Sequence, residues 1–274
     1  MDSGTLVLIG WAFMTVMMSV LWLVQRAKGD AGVVDVGWTA GLGILALLYA
    51  VFAGGDPAQR LLVAVLVGIW STRLALHVYL DRVRGKEEDG RYQALRAKWG
   101  AQAQVRLFVF FQVQGFGAAV MSLPFLVVAR NDAGLGAWSW IAVAVWAVAV
   151  VGEATADRQL AAFRADPSTK GTVCETGLWR YSRHPNYFFE WLHWWTYVIA
   201  AIGAPGWWMT LISPAIISFF LLRVSGIPAT ERQALRSRGD AYREYQRTTS
   251  AFVPWLRRSS RPTAGHRPAR GPKG

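Results

Sequence analysis

The sequence predicts an all-α protein that crosses a membrane about seven times. Three observations carry that reading. Of 274 residues, 53% are hydrophobic, and mean hydropathy is +0.25. The apolar residues arrive in blocks separated by short charged patches. The basic residues gather beside those blocks, so a formal charge of +12 reads better as membrane topology than as attraction to nucleic acid.

A spanning helix needs roughly 20 mostly apolar residues, because its backbone must bond internally within lipid. Seven segments fit, at about 4–24, 36–53, 61–80, 105–129, 137–153, 187–203 and 207–223. Met1-Asp2-Ser3-Gly4 carries no basic run and no small-residue cleavage site ends the first segment, so a retained helix is expected there. The second and sixth spans are short, and the sixth carries Glu190 and His193 near its start. Gly54-Gly55-Asp56-Pro57 and Gly203-Ala204-Pro205-Gly206 are tight turns between neighbouring spans. All of the 29 Lys/Arg except Arg60, Arg73 and Arg130 fall in 25–35, 81–106, 153–186 and 223–274. With an odd number of spans, the positive-inside rule puts the N-terminus outside and the C-terminus in the cytoplasm. Residues 1–258 are expected to form one membrane domain. The remainder, 259–274, reads as a basic, disordered cytoplasmic tail.

Polar residues at membrane depth are costly and usually face protein or a wet cavity. Asp35 opens the second span as a helix cap or as a carboxylate at a pocket mouth. Arg73 and His77 share one helix face; Arg73 either snorkels or, with the charged stretch from Arg82 to Tyr92, rims an anionic ligand. Glu153 and Asp157 also share a face, suited to accept hydrogen bonds from an amide or a sugar hydroxyl, or else to end a helix in solvent. Cys174 stands alone, which excludes an internal disulfide and a multi-cysteine metal site; no metal is expected.

The most informative stretch runs from Gly177 to Glu190. Arg180 and Arg183 place positive charge just before a span, and Pro185 suits an early helix position. Asn186 and Glu190 then share a face, with His193 and Trp194 beyond. Further on, Glu231 precedes a run from Tyr242 to Trp255 that reads as a cytoplasmic lid or an amphipathic surface helix. No P-loop, zinc-protease helix or Rossmann fingerprint is present.

The run Tyr181-Ser182-Arg183-His184-Pro185-Asn186-Tyr187-Phe188-Phe189-Glu190 resembles the C-terminal motif of the steroid 5-alpha-reductase family. More closely, the chain resembles the bacterial DUF1295 branch, through Asp35–Trp38, Gly85–Tyr92, Glu153–Gln159 and Tyr242–Trp255, over about residues 30–256. The resemblance implies a seven-helix, steroid 5-alpha-reductase-like fold in a bacterial inner membrane. It implies NADPH as cofactor and hydride transfer to the C=C bond of a hydrophobic, lipid-like enone. Carried over, Asp157 and Arg164 match cofactor-binding positions, and Asn186 and Glu190 match the pair near the nicotinamide. Glu153 stands where steroid-reducing members have Asn, and Phe189 where they have Gly. Arg158, Lys170, Arg180 and Arg183 are candidates for the phosphates. Asp35 and Tyr79 are candidates to polarise the substrate carbonyl. Membrane methyltransferases that use S-adenosylmethionine share much of the His-Pro-Asn-Tyr…Glu pattern, so that activity is an alternative. A non-enzymatic transporter is a second, although no inverted repeat is visible.

Overall fold

The structure is a computed structural model that describes residues 1–258, so the expected tail at 259–274 lies outside the described residues. Ten α-helices are described, with no sheet among those residues beyond an isolated parallel bridge between Ser182 and Ser250. They are α1 Ser3–Lys28, α2 Val33–Phe52, α3 Pro57–Val78, α4 Gly90–Trp99 and α5 Ala103–Met121. There follow α6 Leu123–Ala129, α7 Ala137–Ala165, α8 Pro185–Ala200, α9 Ile212–Phe219 and α10 Ile227–Thr248. Six helical stretches are long and apolar enough to cross a membrane, and the protein is a multi-pass membrane protein. Their exposed faces agree: Leu8, Val16, Val20 and Leu23 on α1, and Val148 and Val151 on α7, are each more than half exposed. A surface that apolar needs lipid against it.

Against the seven expected spans, six stretches qualify, and four of the expected spans need amendment. The fourth is not one straight helix. α5 stops at Met121 and Pro124 starts α6, while the Ser122 hydroxyl bonds the Ala119 carbonyl at 2.7 Å and the Tyr49 hydroxyl at 3.0 Å. The fifth does not end at residue 153: α7 continues to Ala165 and carries Glu153 and Asp157 inside the helix. The sixth corresponds to α8, whose 16 residues rise only about 24 Å, short of a hydrocarbon core of ~30 Å. The seventh is assembled from a tight helical stretch at Trp207–Leu211, α9, and a wide turn at Phe220–Val224.

Contacts divide the chain into two compact units. The first comprises Met1–Val150 and Trp191–Phe219. Lipid is as apolar as leucine, so helices in it associate through close packing and internal hydrogen bonds. α2 supplies the close packing: a Cβ on Gly43 would stand 2.1 Å from the Ser71 Oγ of α3. α1 and α5 are joined by polar bonds, Gln25 Nε2 to Gln104 Oε1 at 2.9 Å and Trp22 Nε1 to the Gln104 carbonyl at 3.0 Å. Trp146 Nε1 donates to the Leu66 carbonyl at 3.0 Å, fixing α7 to α3. His193, expected near a pocket, is instead fully buried. It stacks on Trp70 at 4.3 Å and shares a hydrogen bond of 3.1 Å with the Tyr197 hydroxyl.

The second unit comprises Val151–Glu190 and the described residues from Phe220 onward. The chain after α7 folds back on that helix. Trp179 Nε1 donates to the Ala156 carbonyl at 3.0 Å, and Leu178 N to Gln159 Oε1 at 2.9 Å. α10 is polar and kinks at Gly239.

Candidate functional site

In the second unit the site grows from two helices. Glu153 and Asp157 are one turn apart on α7, 4% and 9% exposed. On α8, Asn186 and Glu190 are likewise one turn apart. Asn186 Nδ2 donates to Asp157 Oδ1 at 3.4 Å, so the α7 face with the two acids meets the α8 face with Asn186 and Glu190. The Asn186 carbonyl oxygen accepts from the backbone N–H of Tyr187 at 3.0 Å, which orients the amide with its nitrogen toward Asp157. Phe189 does not stand open in a pocket: a Cβ on Gly152 would meet its ring at 2.5 Å. Small residue and large ring are complementary.

The loop before α8 is held by the C-terminal segment. Arg183 Nε donates to Glu231 Oε1 at 2.7 Å, and its Nη1 to the carbonyls of Gln246 and Thr249 at 3.0 and 2.6 Å. Glu231 also accepts from Gln246 Nε2 at 2.9 Å and lies 3.4 Å from His184 Nε2. Burial pushes the His184 ring below its ordinary pKa, against the pull of Glu231. Ser182 Oγ donates to the Phe252 carbonyl at 2.8 Å, and the Tyr245 hydroxyl donates to the Trp179 and Ser182 carbonyls. These bonds fix the position from which Asn186 starts α8.

The other residues expected to bind a cofactor belong to the same unit. Arg158 is exposed and donates to Thr155 on its own helix at 3.3 Å. Arg164, Lys170 and Arg180 are exposed.

Asp35 and Tyr79 belong to the first unit. Asp35 is not the cap of α2; that position is Gly32, without a side-chain bond. The carboxylate of Asp35 instead accepts from the Tyr92 hydroxyl at 2.8 Å and from Arg91 Nη2 at 3.0 Å. Arg91 also bonds Asp89, and its hydrogen bonds outweigh burial to hold that carboxyl below the usual range. Glu88 takes Arg96 and the Ala31 N–H. Within the charged stretch that offered itself as an anion rim, Glu88, Asp89 and Arg91 are therefore paired within the protein. Tyr79 is 42% exposed, and among the described residues no hydrogen bond joins it to Asp35.

Sequence reasoning gave no specific role to Glu231, Tyr245 or Tyr92. A signal was present for each. Glu231 is an acid in the otherwise basic first half of α10, Tyr92 closes one of the motif stretches, and Tyr245 lies near the start of another.

Apolar helices of spanning length, with buried acids and an amide brought together between α7 and α8, define a multi-pass membrane protein with a polar site. The chain belongs to the DUF1295 family, described as proteins of unknown function, whose model matches residues 21–249. It is similar to an uncharacterized protein of Schizosaccharomyces pombe, 25% identical over 283 residues, which cover 90% of this chain and 79% of that protein. No solved structure matches.

Proposed function

We propose that the protein is an NADPH-dependent membrane reductase acting on the C=C bond of a hydrophobic enone, such as a 3-oxo-Δ4 steroid or a related lipid. The observation that carries this reading is the meeting of Asp157 and Asn186, with Glu153 and Glu190 on the same helix faces. Asn186 and Glu190 lie within the motif that resembles the steroid reductases.

The residues fit such a cofactor chemically. Buried carboxylates repel phosphate but accept well from ribose hydroxyls and from a carboxamide N–H. Asn186 both donates and accepts, as a nicotinamide carboxamide requires, and Glu190 adds an acceptor one turn on. Arg158, Arg164, Lys170 and Arg180 are the candidates for the phosphates, for which the arginine fork is suited. Arg183, committed to Glu231 and two carbonyls, contributes as the clamp that positions α8. When bound, NADPH supplies the hydride to the β-carbon of the enone. Balance then requires a proton at the α-carbon and a donor on the carbonyl oxygen while negative charge develops there. Tyr79 is a candidate for that donor, and so is Asp35, which accepts from Tyr92 and Arg91 and would donate only in its protonated form.

The Lys/Arg distribution supports seven crossings, counting α8, with the N-terminus outside and the C-terminus cytoplasmic.

Binding to the detergent-purified protein, compared for NADPH, NADH and S-adenosylmethionine, tests the reading. Saturable NADPH binding is expected, weakened by Glu190→Gln and by Arg164→Ala. Selective binding of S-adenosylmethionine would establish the methyltransferase instead.

A further inference from the structure

The second unit holds a cavity of 260 Å³ at the start of its C-terminal segment. Arg183, Arg247 and Arg258 line it, together with Thr249, Trp255 and Leu256. Among the described residues no carboxylate lines it. Thr249 is 4% exposed, and its hydroxyl has no hydrogen-bond partner among the described residues. A buried hydroxyl left in that state is costly unless a ligand completes it. Backbone bonds shape the cavity: Arg258 N donates to the Thr248 carbonyl at 2.8 Å, and Trp255 N to the Tyr181 carbonyl at 2.9 Å.

Charge and size together select the occupant. The Arg247 and Arg258 guanidinium groups and the Thr249 hydroxyl call for a phosphate-like anion, with Arg183 on the wall held by Glu231. Arg247 has a partner in Glu244 at 3.3 Å, but that pair is exposed and easily exchanged. The volume is below the roughly 300–1,000 Å³ of sites that enclose whole cofactors, so the cavity suits a headgroup better than a dinucleotide. Beside the arginines, the Trp255 and Leu256 side chains are 70% and 76% exposed. An indole and a leucine left in the open next to an anion site match the boundary between lipid headgroups and acyl chains.

The geometry points to a binding site for the phosphate of an anionic membrane lipid, with Arg247, Arg258 and Thr249 on the phosphate and Trp255 and Leu256 against the lipid. This site does not rest on the reductase reading, and its test needs no turnover.

The experiment is native mass spectrometry of the intact protein in neutral detergent, titrated with phosphatidylglycerol or phosphatidylcholine. Parallel arms carry inorganic phosphate and NADPH as competitors. Selective retention of phosphatidylglycerol is expected, weakened roughly tenfold or more in the Arg247→Gln/Arg258→Gln double variant. Thr249→Val should weaken it with the thermal midpoint unchanged, which separates lost recognition from lost folding. Competition by millimolar inorganic phosphate supports the site, because the phosphate group is what it recognises. Equal retention of the two lipids, or full retention by the double variant, would overturn the proposal. So would displacement of the lipid by NADPH at micromolar concentration, which would make the cavity part of a nucleotide site.

Discussion

Glu231→Ala is expected to destabilise the second unit by about 3 kcal/mol, the usual cost of removing one partner from a mostly buried ion pair. The Arg183 side chain is 10% exposed and that of Glu231 16%, so little water is available to replace the carboxylate. The loss spreads because Glu231 is shared: Arg183, His184 and Gln246 all turn toward it. Arg183 keeps its two carbonyl acceptors, which should hold the backbone of 246–249 near its place but leave the charge uncompensated. The readout is hydrogen exchange, where amides at 179–184 and 249–255 should lose protection while those of α2 and α3 keep it. Unchanged exchange at 179–184 would show that the clamp does not hold the loop.

Asn186→Leu is expected to lower NADPH affinity by about tenfold or more, equivalent to at least ~1.4 kcal/mol. Leucine has nearly the same size and suits a helix, so α8 should form. What disappears is the amide that donates to Asp157, together with both the donor and the acceptor assigned to the cofactor. A structural role alone would lower the thermal midpoint without changing affinity in the surviving protein. Calorimetric titration beside a melting curve separates the two, and an unchanged Kd would remove Asn186 from the site.

The apolar spans were legible because hydropathy is a local property. What the sequence alone misplaced depended on distant partners. Asp35 has the composition of a helix cap, yet its partners Arg91 and Tyr92 lie more than fifty residues further on. Arg183 looks like a phosphate ligand until Glu231 is found beside it, 48 positions away. α7 runs on past the apolar segment because Glu153 and Asp157 lower hydropathy without breaking a helix, and Asn186 of α8 bonds Asp157 there. The break between α5 and α6 did have a local signal in Pro124, hidden by the apolar residues on either side. The pairing of Asp157 with Asn186 was foreshadowed by residue type and spacing, and their contact required the fold.

The central claim is transfer of a hydride to an enone, and the direct measurement is a single turnover with NADPH deuterated at the transferable position. Purified protein would be incubated with a panel of hydrophobic enones, and the products read by mass spectrometry and NMR. The account predicts a saturated ketone with one deuterium, located on the β-carbon, and no such product with the Glu190→Gln variant. Stoichiometric binding of NADPH with no deuterium in any product across the panel, or label on the carbonyl carbon, would contradict it.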